Sequence, residues 1–292
     1  MTDIGANLTS AQYQGMYKGK RLHKADLDQV LARAKNAGVQ KMIVTVGTVK
    51  DIKFAAPLLK YDNIWTTVGV HPSQANTYTA ESAQHIRREF QTNKKIVMYG
   101  EFGLDYDRLQ FSDKETQIRV FKEQLQLAME SKLPLFLHCR NAYTDFFTIL
   151  NQFQQQNNYI FTGVVHSFTG SLQELQLVLK SNFYVSVNGL AFKTAEQLNT
   201  FKQIPLDKLL IETDCPYCQL KPADAGSKYI KTNLFQGAKE PEKYESGFMV
   251  KNRNEPCYLK TVIEVAAGIL GKKCEEIVQI TEENVKKMLN WV

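Results

Sequence analysis

Apolar positions in this chain fall into short continuous runs separated by longer segments of helical period. The runs are Thr2 to Leu8, Lys41 to Gly47, Trp65 to Val70, Val97 to Leu104, Leu133 to His138, Gly163 to Phe168, Tyr184 to Leu190 and Leu209 to Thr213. Their length and β-branched content predict buried strands. Between them lie amphipathic segments, among them Leu27 to Ala37, closed by Gly38, and Lys114 to Ser131, opened by the box Ser112-Asp113-Lys114-Glu115. Further helix starts stand at Ser171-Leu172-Gln173-Glu174 and Thr194-Ala195-Glu196-Gln197. Repeated strand-then-helix units require a parallel sheet, and eight of them predict an α/β protein of the closed (β/α)8 TIM-barrel type. An open doubly wound sheet is the alternative. No Gly-x-Gly-x-x-Gly follows any run, so a dinucleotide-binding version has no positive support. The polar segment from Tyr217 to Lys251 is too long for an ordinary connection and is expected to form an active-site flap within a single domain spanning 1–292.

Composition changes this picture little. With 292 residues and 43% hydrophobic content the chain can bury one large core. The start has neither a basic region nor an apolar leader segment, and no window is long and apolar enough to span a membrane, so a soluble intracellular protein is expected. Five cysteines in no disulfide-scaffold pattern suggest reduced thiols, and Cys215-Pro216-Tyr217-Cys218 has no second pair to make it a zinc site. A net charge of +6 favours an anionic substrate without singling out nucleic acid.

The chemistry sits at the ends of the runs. Gly100-Glu101-Phe102-Gly103, Leu137-His138-Cys139-Arg140, Val165-His166-Ser167 and Thr213-Asp214-Cys215 place Glu101, His138, His166 and Asp214 where barrel strands deliver polar groups to an active-site rim. Two carboxylates and two imidazoles form a divalent-metal ligand set and point to metal-assisted hydrolysis. The glycines flanking Glu101 are expected to leave room for cations and substrate. His71, before Pro72, and Arg140 are candidates for substrate phosphate, each equally well explained by rim packing or a salt bridge. Glu212 and Asp105 are candidate orienters of ligands, and Glu255 a structural anchor. His23 and His85 are expected to be exposed and inert. Lys221, Lys228 and Lys231 alternate with Tyr217 and Tyr229 along the flap, offering phosphate attraction and a stacking face, or simply a solvated loop.

Taken in order, Asp3-Ile4-Gly5-Ala6-Asn7-Leu8, Val68-Gly69-Val70-His71-Pro72, Gly100 to Asp105, Leu137 to Arg140, His166-Ser167-Phe168, Glu212 to Pro216 and Arg253-Asn254-Glu255-Pro256 resemble the TatD family of metal-dependent deoxyribonucleases nearly end to end. The stretches Leu104 to Phe111 and Ala225 to Ile230 are similar to its eukaryotic TatD domain-containing branch. The resemblance implies a metallo-dependent hydrolase barrel that cuts DNA phosphodiester bonds, as a 3′-to-5′ exonuclease, with two divalent cations. Glu101 would bridge them, His138 and His166 would bind the second, and Asp214 would bind the first and accept a proton from the attacking water. Asn7 reads either as a turn residue after the first strand or as an oxygen donor at the first ion, while Tyr106, with His71, Arg140 and Lys228, would meet the substrate. Many family members carry His-x-His at the first strand, where this chain has Gly5-Ala6-Asn7. An oxygen-rich first site suits Mg²⁺, and a nitrogen-rich second site suits Zn²⁺ or Mn²⁺. Single-stranded or end-exposed DNA is the expected partner, with no membrane and no obligate protein partner, in cytoplasm or nucleus. Hydrolysis of an amide or ester, including an aminoacyl ester, and a catalytically weakened scaffold are the competing readings.

Overall fold

Each of the eight apolar runs becomes a strand of the eight-stranded main sheet in the computed structural model, which describes residues 1–232 and 237–291. The strands are β1 (Thr2–Ala6), β2 (Lys41–Val44), β3 (Ile64–Val68), β4 (Ile96–Asp105), β5 (Leu135–Arg140), β6 (Gly163–Val165), β7 (Tyr184–Val187) and β8 (Leu209–Ile211). Six stop short of the sequence-derived ends, whereas β4 and β5 run past theirs, to Asp105 and Arg140. Contacts divide the chain into two compact units, Met1–Val44 with Val187–Asn284 and Thr45–Ser186 with Val285–Val292. In the first unit β1 runs parallel to β2, and Ala6 bridges to Cys215 just beyond β8. A two-stranded ribbon, Met16–Tyr17 against Lys20–Arg21, has no counterpart in the predicted elements. Residues 233–236 of the expected flap lie outside the described residues. Among those that are described, the flap stretch carries 3-10 turns at Ser227–Tyr229 and Pro241–Lys243.

In the second unit β3, β4, β5, β6 and β7 pair in parallel, each with the next. Helices α1 (Leu27–Asn36), α2 (Val49–Ala55), α3 (Ala80–Thr92), α4 (Lys114–Ser131), α5 (Tyr143–Asn157), α6 (Leu172–Lys180) and α7 (Ala195–Phe201) follow the strands in turn. Both short capping boxes form as expected, Ser171 with Glu174 and Thr194 with Gln197. For α4 the cap is one residue later than the box suggests: Asp113, not Ser112, accepts the backbone N–H of Thr116. An aspartate at this position also opposes the helix dipole with a full negative charge, which a serine does not. Phe102, Phe121 and Phe146 form a column of ring contacts at 5.6 and 4.7 Å, fixing β4, α4 and α5 to one another. Among the described residues no helix is long and apolar enough to cross a membrane.

The glycines around Glu101 have a different cause from the one expected. Gly100 and Gly103 both hold φ near +149°. A Cβ on Gly100 would lie 2.1 Å from the carbonyl oxygen of Phe136, and one on Gly103 only 1.8 Å from that of His138. They are needed so that the β5 backbone can approach β4, and this approach sets His138 beside Glu101. Gly103→Ala is therefore expected to cost at least about 2–4 kcal/mol, through overpacking of backbone against backbone and an unfavourable φ. Urea unfolding measures it, and a midpoint indistinguishable from wild type would disprove the steric account.

Candidate active site

The second unit gathers four of the predicted residues around one oxygen. Glu101 lies within β4 and is buried, His138 lies in β5, His166 follows β6, and His71 lies beyond β3. Glu101 Oε1 is 2.7 Å from His166 Nε2, 2.9 Å from His138 Nδ1 and 3.4 Å from His71 Nε2. His138 Nδ1 and His166 Nε2 are themselves 3.4 Å apart. Like-natured nitrogen donors converging on a carboxylate oxygen at these separations fit a divalent cation, which would take the place of shared protons. Phe136 stacks on the His166 ring at 4.5 Å and fixes its plane.

Outer partners decide which ring nitrogens face the carboxylate. His138 Nε2 is 3.0 Å from Asp105 Oδ2, so a neutral His138 donates there and keeps Nδ1 as the lone-pair nitrogen next to Glu101. Asp105 thus orients the His138 ring. His71 is set the other way. The backbone N–H of Ser73 donates to His71 Nδ1 at 3.0 Å, so the proton of the neutral ring sits on Nε2. His71, Glu101 and His138 together could hold a metal by separation alone. The tautomer argues instead that His71 is an N–H donor aimed at the Glu101 side, the polarity needed to meet a phosphate oxygen.

The electrostatics set the two rings apart, keeping His71 neutral and favouring a charged His138 whose Nδ1 proton is shared with Glu101. Burial pushes the Glu101 carboxyl up, but the His166 and His71 rings and the hydrogen bonds from His138 and His166 outweigh it and hold it well below the ordinary range. Burial lowers His71 to about 4 against the opposing pull of Glu101, leaving it neutral at physiological pH. For His138 burial also acts downward, yet bonding to Asp105 and Glu101 raises it overall.

Asp214 and Asn7 are placed in the first unit. Asp214 follows β8 with φ 52°, a left-handed conformation unusual for aspartate. Asn7 Nδ2 donates to its Oδ1 at 2.7 Å, and the Cys218 thiol donates to its Oδ2 at 2.9 Å. Asn7 therefore orients the carboxylate, and only its amide oxygen can face a cation while that bond holds. Cys218, weighed in the sequence only as part of a zinc site, is the second holder. Asn254 locks the turn from outside, donating to the carbonyls of Thr213 at 2.9 Å and Tyr217 at 2.7 Å. Glu212, fully buried, takes a long contact from Asn188 Nδ2 at 3.4 Å.

The remaining candidates are dispersed. Arg140 pairs with Asp107 at 2.9 Å on the surface, and the Tyr106 hydroxyl donates to Asp145 at 2.7 Å. Lys228 is exposed with its ammonium 5.2 Å from the Tyr229 ring centre. His23 is buried, contrary to expectation: its ring stacks on Tyr244 at 4.4 Å and Nε2 meets the Tyr17 hydroxyl at 3.2 Å. His85 is half-buried rather than exposed, bonded to Arg88 at 3.0 Å.

Asp3 was passed over as chemistry in its own right, and it is fully buried. It accepts from the Thr213 N–H at 2.9 Å, the Thr213 hydroxyl at 2.5 Å and the Gly5 N–H at 3.3 Å. Burial raises its pKa from 3.8 to about 7, with Thr213 bonding opposing and Glu212 adding to the rise. Because the folded value exceeds the unfolded one, the stability it contributes is full below about 3.8 and is lost as pH rises through about 7. Asp3→Asn preserves the two backbone acceptances, so it is expected to exceed wild type by roughly 1–3 kcal/mol at pH 8 and to match it near pH 4. Melting curves across this range test it; a pH-independent difference would refute the assignment.

A family model described as TatD-related DNase matches residues 2–290. The chain belongs to this family. Among its relatives is the deoxyribonuclease Tat-D of Schizosaccharomyces pombe, 40% identical, with 99% of this chain and 95% of that protein covered. The 3′-5′ ssDNA/RNA exonuclease TatD of Pectobacterium parmentieri is 34% identical over 99% of this chain and 98% of its own length. The crystal structure of a TatD-family hydrolase from Entamoeba histolytica matches with a TM-score of 0.93 at 36% identity, covering 100% of this chain and 98% of that one. These likenesses give the TatD chain the (β/α)8 fold class of the metallo-dependent hydrolases, as its strand-and-helix alternation predicts.

Proposed function

We propose that this TatD-family chain is a divalent-metal-dependent deoxyribonuclease that removes nucleotides from the 3′ end of exposed, single-stranded DNA. The observation that carries it is the convergence of His138 Nδ1 and His166 Nε2 on Glu101 Oε1, with Asp105 fixing the His138 tautomer. The names of the similar proteins support DNA as substrate and, for the bacterial one, the direction of attack.

Glu101, His138 and His166 would hold the nitrogen-rich cation, of the Zn²⁺ or Mn²⁺ type, and in the first unit Asp214 and the Asn7 oxygen offer donors suited to a harder ion such as Mg²⁺. Such cations, when bound, supply positive charge for the phosphate oxygens and acidify water. The chain's own groups do the rest. His71 Nε2–H donates to a phosphate oxygen, which a neutral ring does without contesting the cation for Glu101. Asp214, gripped through both oxygens, receives the proton of the attacking water. Arg140, Tyr106 and Lys228 are proposed to meet the DNA after exchanging their present partners, within one hydrolase domain whose flap spans 217–251.

The test is cleavage of end-labelled single-stranded DNA after chelation and re-addition of Mg²⁺, Mn²⁺ or Zn²⁺. Wild type is expected to give a metal-restored ladder. Asp214→Asn should lose at least about 100-fold in kcat while DNA affinity stays within a few-fold. Equal loss of both would make Asp214 a structural ligand. Turnover of a carbonyl ester without DNA cleavage would overturn the reading.

A further inference from the structure

Helix α4 carries two glutamines, Gln117 and Gln124, that are 1% exposed and point into the protein. They are seven residues apart, two helical turns, and so lie on one face. Gln124 Oε1 accepts the N–H of Val70 at 2.8 Å, and its Nε2 donates to the Val70 carbonyl at 2.9 Å. Gln117 repeats the arrangement at Asp105, accepting its N–H at 2.8 Å and donating to its carbonyl at 2.9 Å, and donates also to the Ser112 carbonyl at 2.9 Å. A primary amide offers the same donor and acceptor pair as a peptide group. Each glutamine therefore serves as a substitute strand neighbour, at places where the β3–β4 ladder, whose last pair is Val68 with Tyr99, has already stopped.

The two gripped residues are not arbitrary. Val70 immediately precedes His71, and Asp105 holds His138 through Oδ2 at 3.0 Å. Gln117 also ties Asp105 to Ser112, closing both ends of the exposed loop between them. We propose that Gln117 and Gln124 are positioning residues: α4 acts as a ruler that sets the phosphate-facing His71 and the cation-facing His138 against Glu101. This inference rests on the metallonuclease reading, and the rest of α4's buried face, Val120, Phe121, Leu125 and Ala128, supplies only packing.

The experiment uses Gln117→Met and Gln124→Met, which keep side-chain length without the amide, and Phe121→Leu as a packing control on the same face. Mn²⁺ affinity by calorimetry, kcat and KM on single-stranded DNA, and Tm are measured on each. Gln117→Met is expected to weaken Mn²⁺ binding about 10–100-fold, as loss of an outer partner does. Gln124→Met should keep Mn²⁺ affinity but lose about 10–100-fold in kcat at nearly constant KM. Phe121→Leu should lower Tm comparably and move neither. Histidine-ring ¹⁵N spectra give a readout independent of DNA cleavage: Gln124→Met should shift the His71 tautomer and leave His23 and His85 unchanged. Should a methionine variant not fold, Gln→Glu at that position keeps the acceptor, loses the donors and must show the same split. Activity losses that track Tm in all variants, with Mn²⁺ affinity and the His71 spectrum unmoved, would overturn the proposal. Absent DNA cleavage by wild type, together with the expected Mn²⁺ and spectral changes, would overturn only the substrate reading.

Discussion

Glu101→Gln is expected to leave a folded protein that no longer binds Mn²⁺ appreciably and cleaves DNA at least about 1,000-fold more slowly. The side chain is 7% exposed and its Oε1 is the common neighbour of three imidazoles, so the substitution changes one oxygen and its charge at the centre of the cluster. Losing an outer partner of a metal ligand already costs about 10–100-fold, and Glu101 is proposed to ligate the cation itself, so its loss is expected to exceed that range. An amide would also direct an N–H or a weaker acceptor at nitrogens that the carboxylate now attracts. Stability should move less than activity. The His71 Nε2–H can donate to the amide oxygen and the amide N–H can donate to an imidazole lone pair, and the charge that disappears is one whose burial was costly. Calorimetric Mn²⁺ titration, DNA cleavage and thermal melting on one preparation separate these effects. Wild-type Mn²⁺ affinity in the variant would remove Glu101 from the metal centre and take the proposed function with it.

Much of the cluster around Glu101 was legible because strand chemistry is written locally. A polar residue set in or just after an apolar run announces both the strand and the residue delivered by it: His166 and, in the first unit, Asp214 follow their strands, whereas Glu101 and His138 lie inside theirs, earlier than a strand-end reading places them. Roles that depend on a distant partner were not legible. His71 reads equally as phosphate contact, rim packing or salt bridge until its Nε2 is found 3.4 Å from Glu101 Oε1. Asn7 and Cys218 stand 211 residues apart in the chain and meet only on the two oxygens of Asp214. His23 sits among basic residues, which suggested exposure, but the rings of Tyr17 and Tyr244 cover it. One signal was available and unread. Gln117 and Gln124 interrupt the apolar stripe of α4 at heptad spacing, and a polar residue on a buried helix face must find a partner. The backbones of Val70 and Asp105 are those partners.

Arg253→Met is expected to cost about 3–5 kcal/mol, the range found when one member of a buried ionic network is removed. Arg253 is fully buried and reaches Asp26 with two bonds at 2.7 and 2.6 Å and Glu255 at 2.9 Å, with its guanidinium 5.0 Å from the Tyr13 ring centre. Arg33 completes the group, bonding Glu255 at 2.7 and 3.0 Å, so two cations balance two carboxylates. With methionine at 253, Asp26 and Glu255 stay buried and share only Arg33, and one negative charge has no partner. Removing Asp26 as well, in Asp26→Leu with Arg253→Met, should restore a large part of the loss, because an apolar replacement of a whole buried pair is often neutral. The consequence also reaches the chemistry. Asn254, next in the chain, braces the Thr213 and Tyr217 carbonyls on either side of Asp214, and its own carbonyl accepts from Tyr13 at 2.8 Å. The double variant should therefore recover stability without recovering kcat fully, since the network that aligns Asn254 is gone. Chemical denaturation and single-stranded DNA cleavage on the single and double variants read the two effects. A single variant within about 1 kcal/mol of wild type would show the network to be dispensable, and full recovery of kcat in the double variant would separate it from Asp214.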